Sequence, residues 1–341
     1  MRRGQASSFF TLFLSFCLVG PLLAQTPPRT VRVSTIGHVG TPGSLSVAVE
    51  GGWRLIDLGD HRLVGEGAGP AAWRFRIGPA GRVMVQAEGE IHLLPSGAAG
   101  AADPPQRWSG SESVGFRLEG AAPDQCFTVR VDRRALVYPG AVELWPAGHG
   151  AAGLRLINEA PIERYLLGVM TAEGPASFQP EALKALAVAA RSYTEHSRLR
   201  HQPEADVCDT VHCQVYPGVG QVPQKVALAV ADTAGVVGLF GGAVIDAVFS
   251  ADCGGRTRNS QDVWPGRGKI PYLRSVEDRP PDGGPDYCAV DRNHVSCMKL
   301  TVGQVGRLLG LRDLPVGKVA LTHLERDSSG CVVALRLSLG T

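Results

Sequence analysis

The chain has 341 residues, a formal net charge of +2 and an apolar fraction of 44%. That length supplies a real core in one large or two medium domains, and the near-neutral charge excludes both a disordered polyelectrolyte and a charge-driven nucleic-acid binder. Glycine and proline are abundant, 43 and 24 residues against 6% aromatics, which predicts many turns and short strands rather than a helical bundle.

The N-terminus reads as a secretory signal. Arg2 and Arg3 precede an apolar run from Phe9 to Leu23, and small residues place cleavage after Ala24. The run is short for a membrane span, and no later stretch is long and apolar enough to be one. The expectation is an exported chain, secreted or periplasmic at the cell envelope, with no transmembrane span after cleavage. Cys17 leaves with the signal, so Cys126, Cys208, Cys213, Cys253, Cys288, Cys297 and Cys331 remain. An oxidising compartment favours their pairing or metal binding. Their odd number leaves at least one free or metal-bound.

From Val31 to about Leu94, short runs such as "VRVSTIG", "LSVAVEG" and "WRFRIG" alternate apolar and polar residues between Gly, Pro and Asp, the pattern of a small all-β unit. "PSGAAGAADPPQ", Pro95 to Gln106, reads as a linker, and β-type segments resume after it. At Ile162 the period changes. "IERYLLGVM" has helical spacing, and a longer helix follows from Pro180, which suits a first helical position, with Glu181 in the first turn. Leu183, Leu186, Ala187 and Ala190 keep the period, and the alanines predict close packing on another element. "QKVALAVADTAGVVGLF" reads as a short helix running into a strand, and "GAVIDAVFSADCGG" as a strand ending in a turn. "TVGQVGRLLG" is a short helix capped by Thr301, and a strand pair closes the chain. The fold class is α+β: a β-rich N-terminal portion, then a mixed domain with a few short helices packed on antiparallel strands. The expected division is signal peptide 1–24, small β-rich domain and linker 25–105, and a second domain 106–341.

Three stretches carry chemistry. "HQPEADVCDTVHC" holds His201, Cys208, His212 and Cys213, the donor types of a tetrahedral zinc site, though not at zinc-finger spacing. His212 and Cys213 are adjacent and would diverge in an extended segment, so the expected set is Cys208, Cys213 and one of the two histidines. A Cys208–Cys213 disulfide fits the spacing equally. "FSADCGGRTRNSQDVW" places Ser250 and Cys253 before Gly254-Gly255, where the backbone can turn unusually and approach a ligand. Downstream, "YCAVDRNHVSC" offers Cys288, His294 and Cys297. A second metal site is conceivable, but a disulfide from Cys253 to one of these fits export better. No Ser-His-Asp order, phosphate loop or nucleotide fingerprint is present. Glu163 and Glu195 read as acids on solvated helix faces. Glu173 differs, because Val169, Met170 and Phe178 surround it with apolar groups. A carboxyl among apolar groups holds its proton more tightly and can act as a general acid near neutrality.

At these residues the chain resembles the stage II sporulation protein D family, SpoIID/LytB. The matching pieces run in order from about Leu154 to Asp278: "LRLINEAPIERYLLGVMTAEGPASFQPEALKALAVAARSY", "CDTVHCQVYPGV", "ADTAGVVGLFGGAVIDAVFSADCGGRT", "DVW" and "PYLRSVED". The resemblance implies a lytic transglycosylase that cleaves MurNAc–GlcNAc bonds of peptidoglycan glycan strands to 1,6-anhydroMurNAc ends. A glutamate matching Glu173 would act as general acid and then as base. Arg191, Tyr193, Gln214, Tyr216, Ser250, Gly254 and Gly255 match positions expected around the cleft. Cys208, Cys213 and a nearby histidine match positions that hold a structural zinc in some members. The family also includes enhancers of cell-wall amidases, which implies an alternative role as a non-catalytic peptidoglycan-binding module, with other cell-wall hydrolases as partners. Two departures stand out. The family's Glu-Met-Pro is Glu173-Gly174-Pro175 here, which removes an apolar neighbour and loosens the backbone. The family's Gly/His-rich segment and its Tyr-Tyr-Pro-Gly close are not found before Thr341.

Overall fold

A computed structural model describes residues 29–78, 80–88, 111–148, 152–174, 177–198, 200–201, 203–290, 295, 297–308, 310 and 319–339. The expected signal peptide and the linker 95–106 lie outside the described residues, as does His294. The chain opens with β1 (Thr30–Ser34), β2 (Ser44–Val49), β3 (Trp53–Asp57), β4 (Leu63–Gly67), β5 (Ala71–Ile77) and β6 (Val83–Ala87). After residue 110 come β7 (Ser111–Ser113), β8 (Phe116–Gly120), β9 (Cys126–Val131), β10 (Arg134–Pro139), β11 (Ala141–Pro146) and β12 (Leu154–Pro161). In strands such as β2 and β3, alternate side chains are buried, so each offers one apolar face.

Two sheets bury those faces against each other. Their strand orders are β13–β1–β12–β11–β8–β3–β4, where β13 is Val207–Cys208, and β10–β9–β2–β5–β6–β7. Trp53 of the first sheet meets Trp73 of the second edge-on at 4.7 Å, and Phe75 meets Phe116 at 6.3 Å. The pairing corrects the expected boundary at residue 105. β1 pairs with β12, β3 with β8 and β2 with β9, so strands from both sides of the linker interleave in one sandwich. Within 25–105, β2–β5–β6 and β3–β4 pair with one another, but β1 finds both of its partners beyond the linker.

Three helices follow: α1 (Ile162–Glu173), which packs on β12 and β1, and α2 (Pro180–His196) and α3 (Gln224–Asp232), which pack on α1 and on each other. α1 leaves β12 directly through Pro161. Leu166 and Val169 of α1, Leu183, Ala187 and Ala190 of α2, and Val226 and Val230 of α3 join the strand residues in one buried cluster. The alanines let α2 sit close to its neighbours, as their spacing predicted.

The remaining elements are short. β14 (Leu239–Phe240) and β15 (Ala243–Val244) form a two-residue ladder, and the strand expected to run on toward Cys253 ends there. Val248, Phe249 and Ser250 line a cleft instead of pairing. Next come α4 (Ser260–Val263), α5 (Val302–Leu308) and a terminal hairpin of β16 (Val319–Arg326) and β17 (Val332–Leu339). Thr301 caps α5 reciprocally with Gln304: Gln304 N–H donates to Thr301 Oγ1 at 3.3 Å, and Thr301 N–H donates to Gln304 Oε1 at 2.7 Å. The protein is α+β. No helix among the described residues is long and apolar enough to cross a membrane.

Candidate active site

Glu173 is the last residue of α1. The helix stops because Gly174 turns extended, at φ −109° and ψ 106°, while its N–H still bonds Met170 O at 3.0 Å. Gly174 is not a loose link. A Cβ there would lie 3.0 Å from Met170 O and 3.1 Å from Leu186 Cδ2, so the bare backbone lets the end of α1 press against α2. This corrects the expectation that the glycine loosens the motif.

The half-buried Glu173 side chain faces an open cleft of about 1210 Å³. Its Oε1 accepts Val215 N–H at 2.8 Å, and among the described residues Oε2 takes no hydrogen bond. The other acid on the cleft wall is Asp252, whose Oδ1 accepts Gly254 N–H at 2.7 Å. Tyr193 and Ser250 also line the cleft. Burial, with the nearby Cys213 next, pushes the Tyr193 hydroxyl up to about 12, so it is neutral at physiological pH. It accepts Arg200 Nη1–H at 2.6 Å, and the guanidinium lies over its ring. Trp264 offers a partly exposed ring on the same wall, with Arg267 packed 5.4 Å from its centroid. Gly254 and Gly255 take φ values of +68° and +86°, the left-handed turn their sequence allowed, and stand next to cleft-lining Cys253 without lining it themselves.

Three residues expected at the cleft lie in the core instead. Arg191 is 1% exposed and donates to Glu163 Oε1 and Oε2 at 2.9 and 2.7 Å and to Val236 O at 3.0 Å. It ties α1 to α2 and to the chain beyond α3, so Glu163 is an ion-pair partner and not a solvated acid. Glu195 likewise is 8% exposed and paired with Arg198. Gln214 Oε1 accepts the hydroxyls of Tyr165 and Thr194 at 3.1 and 2.8 Å. Tyr216 is fully buried and donates to Asn158 Oδ1 at 2.9 Å. These three belong to the buried packing among the helices and β12. The sequence reading missed a row of cleft arginines, among them Arg258, Arg267 and Arg274. They fall within one irregular stretch, 258–274, with no periodicity to mark which side faces the cleft. Most are already engaged: Arg258 pairs with Asp327, Arg267 with buried Asp246, and Arg274 donates to Gln261 Oε1 at 3.0 Å.

Beside the cleft, one donor atom each from His201, Cys208, His212 and Cys213 lies within 4.8 Å of the others. His201 Nε2 is 3.2 Å from Cys213 Sγ, and His212 Nδ1 is 3.5 Å from Cys213 Sγ and 3.7 Å from Cys208 Sγ. Zn–S bonds of about 2.3 Å and Zn–N bonds of about 2.0 Å give tetrahedral edges of about 3.5 Å, so two thiolates and two imidazoles fit zinc here. Both histidines fall within the cluster, where the sequence reading expected one. A turn closed by Cys213 N–H to Thr210 O at 3.0 Å brings His212 and Cys213 to one side, where an extended chain would splay them. β13 pairs with β1 and fixes Cys208 at the sheet edge. Hydrogen bonding from Cys213 and Thr210 holds the Cys208 thiol well below its ordinary range. All seven described cysteines are free thiols.

Residues 151–240 match the family model described as SpoIID: Stage II sporulation protein. The chain therefore carries a SpoIID-like segment. It is similar to stage II sporulation protein D of Bacillus subtilis (strain 168), 31% identical over 179 residues, covering 44% of this chain and 52% of that protein. Stage II sporulation protein D of Bacillus amyloliquefaciens is 33% identical over 149 residues, 39% and 43% of the two chains. The amidase enhancer of Bacillus subtilis (strain 168) is 39% identical over 113 residues, 33% of this chain and 15% of that protein. The chain thus spans about half, or less, of these curated relatives. The SpoIID segment contains Glu173 and the four zinc-type donors. The arginine row and the Cys253 turn lie beyond it.

Proposed function

We propose that the protein is an exported peptidoglycan lytic transglycosylase of the cell envelope, with Glu173 as its acid and base. The carrying observation is that half-buried Glu173 lines the cleft with Oε1 held by Val215 N–H and, among the described residues, no hydrogen bond on Oε2, whereas Asp252 sits in a turn that its own Oδ1 closes on Gly254 N–H. An ordinary glycosidase needs two carboxyls, one of them to activate water or attack the sugar. A single carboxyl suffices when the nucleophile belongs to the substrate. Protonated Glu173 gives its proton to the glycosidic oxygen as the MurNAc C1–O bond breaks. The carboxylate then takes the proton of the MurNAc 6-hydroxyl, whose oxygen bonds to C1 and closes the 1,6-anhydro ring. No water is consumed, and Glu173 ends as it began. Val215 N–H holds Oε1 and leaves Oε2 for the proton. Trp264 offers a partly exposed ring to a sugar chain, and Tyr193 braces Arg200 on the same wall.

Zinc at His201, Cys208, His212 and Cys213 would be structural, supplying a rigid clip two residues before Val215. The test is incubation with purified glycan strands and mass spectrometry of the products. Anhydro ends are expected, with a rate fall of about 100-fold or more in Glu173→Gln. Unchanged cleavage by that variant, or hydrated reducing ends alone, refutes the reading. The similarity to an amidase enhancer favours a second reading, a peptidoglycan-binding module acting with other cell-wall hydrolases. Retention on peptidoglycan without released fragments would select it.

A further inference from the structure

Cys253, Asp278 and Cys288 are far apart in sequence, yet one donor atom from each lies within 4.8 Å of the others. Cys253 Sγ is 3.7 Å from Cys288 Sγ and donates to Asp278 Oδ2 at 3.2 Å. We propose that these three side chains form a second site for a thiophilic divalent cation of the zinc class, set in the wall of the Glu173 cleft.

The backbone holds the donors in place. Asp278 N–H bonds Gly255 O at 3.0 Å, Tyr287 N–H bonds Asp278 O at 2.9 Å, and Thr257 N–H bonds Val276 O at 2.9 Å. The left-handed pair Gly254-Gly255 makes the turn that sets Cys253 here, and a Cβ on Gly255 would strike the Asp286 carboxylate, 2.6 Å from its Cγ. The spacings suit a metal. With Zn–S of about 2.3 Å and Zn–O of about 2.0–2.2 Å, a tetrahedron has an S···S edge of about 3.8 Å and an S···O edge of about 3.5 Å. A Cys253–Cys288 disulfide would instead consume the S–H that Asp278 accepts and strand a half-buried carboxylate oxygen. A metal keeps all three groups engaged.

Binding exchanges two thiol protons for one cation: M²⁺ plus two Cys–SH gives M(S–Cys)₂ and two H⁺, with Asp278 as the third ligand. Three protein donors leave one position for water. Because Cys253 lines the cleft, occupancy would pin the cleft wall to the 277–288 segment.

The experiment is metal stoichiometry on the full chain, stripped by chelator and reloaded with Zn²⁺ or Co²⁺. Two ions per wild-type chain are expected. Cys253→Ser/Cys288→Ser, and separately Asp278→Asn, should each lose one ion while still unfolding cooperatively. Cys208→Ser/Cys213→Ser should keep one Co²⁺ with thiolate charge-transfer absorption. The proposal is overturned if the Cys253/Cys288 variant binds as many ions as wild type. It is equally overturned if peptide mapping without reductant finds Cys253 disulfide-linked to Cys288. Neither result depends on glycan cleavage, so failure here leaves the transglycosylase reading standing.

Discussion

Replacing Arg191 with methionine separates a scaffold role from a substrate-binding one. Arg191 makes two bonds to Glu163 and one to Val236 O, from a site only 1% exposed. Bonds to a charged partner are worth about 1.5–3 kcal/mol each, before screening. The Glu163 side chain is 35% exposed, and Gly235 N–H still holds its Oε1 at 3.1 Å, so water and that bond recover part of the loss. The Glu163 share then comes to about 2 kcal/mol, and the stranded Val236 carbonyl adds about 1–2 kcal/mol. Methionine fills much of the vacated volume, which keeps the cavity cost small. The expected loss is about 3–4 kcal/mol, a fall in Tm of roughly 4–6 °C for a chain of 341 residues. Circular dichroism melts measure the stability, and cleavage of glycan strands well below the melt measures KM, which should stay at the wild-type value. A variant that melts like wild type but shows KM raised tenfold would refute this and return Arg191 to the cleft.

The same geometry makes two further predictions. Gly174→Ala pushes a Cβ against Met170 O and Leu186, with no relief from the backbone, whose φ of −109° suits any residue. It should cost about 1 kcal/mol, read as a lower urea midpoint with unchanged slope, and a more stable variant would contradict the close approach of α1 and α2. Glu143 is 3% exposed, and burial alone would raise it. Hydrogen bonds from Arg32, Trp145 and Arg117 outweigh that and bring it from 4.5 to about 2. A depressed carboxyl stabilises above its unfolded value and loses that contribution as pH falls through the folded one. The advantage of wild type over Glu143→Gln should therefore be about 3 kcal/mol at pH 6 and disappear between about pH 4.5 and 2, and a pH-independent gap would sink the assignment.

The helices were legible because α1 and α2 keep a clean 3.6-residue period, and Pro180 marks the start of α2. The misplacement of Arg191 was avoidable from the same period. Leu183, Ala187, Ala190 and Thr194 mark the buried stripe of α2, and Arg191 follows Ala187 by four residues, on that stripe. Gln214 and Tyr216 gave no such warning, since they lie outside helices and their burial depends on Asn158, Tyr165 and Thr194 arriving from elsewhere. The sandwich boundary was hidden for a similar reason. Alternation shows that a strand has one apolar face, but not which distant strand covers its edge. The proximity of His212 and Cys213 was hidden because an extended chain was assumed where a turn forms.

β1 lies between β12 and β13, and both neighbours come late in the chain. Thr30 pairs with Pro161, and Val33 with Val207. At synthesis rates of about 5–20 residues per second, β1 waits roughly 6–25 s for β12 and roughly 9–35 s for β13. Until then it presents open N–H and C=O rows that another chain can capture. The strand that anchors Cys208 thus gains from being kept unfolded until the rest is made. Delivery across a membrane as an extended polypeptide, with assembly on the far side, would meet that need.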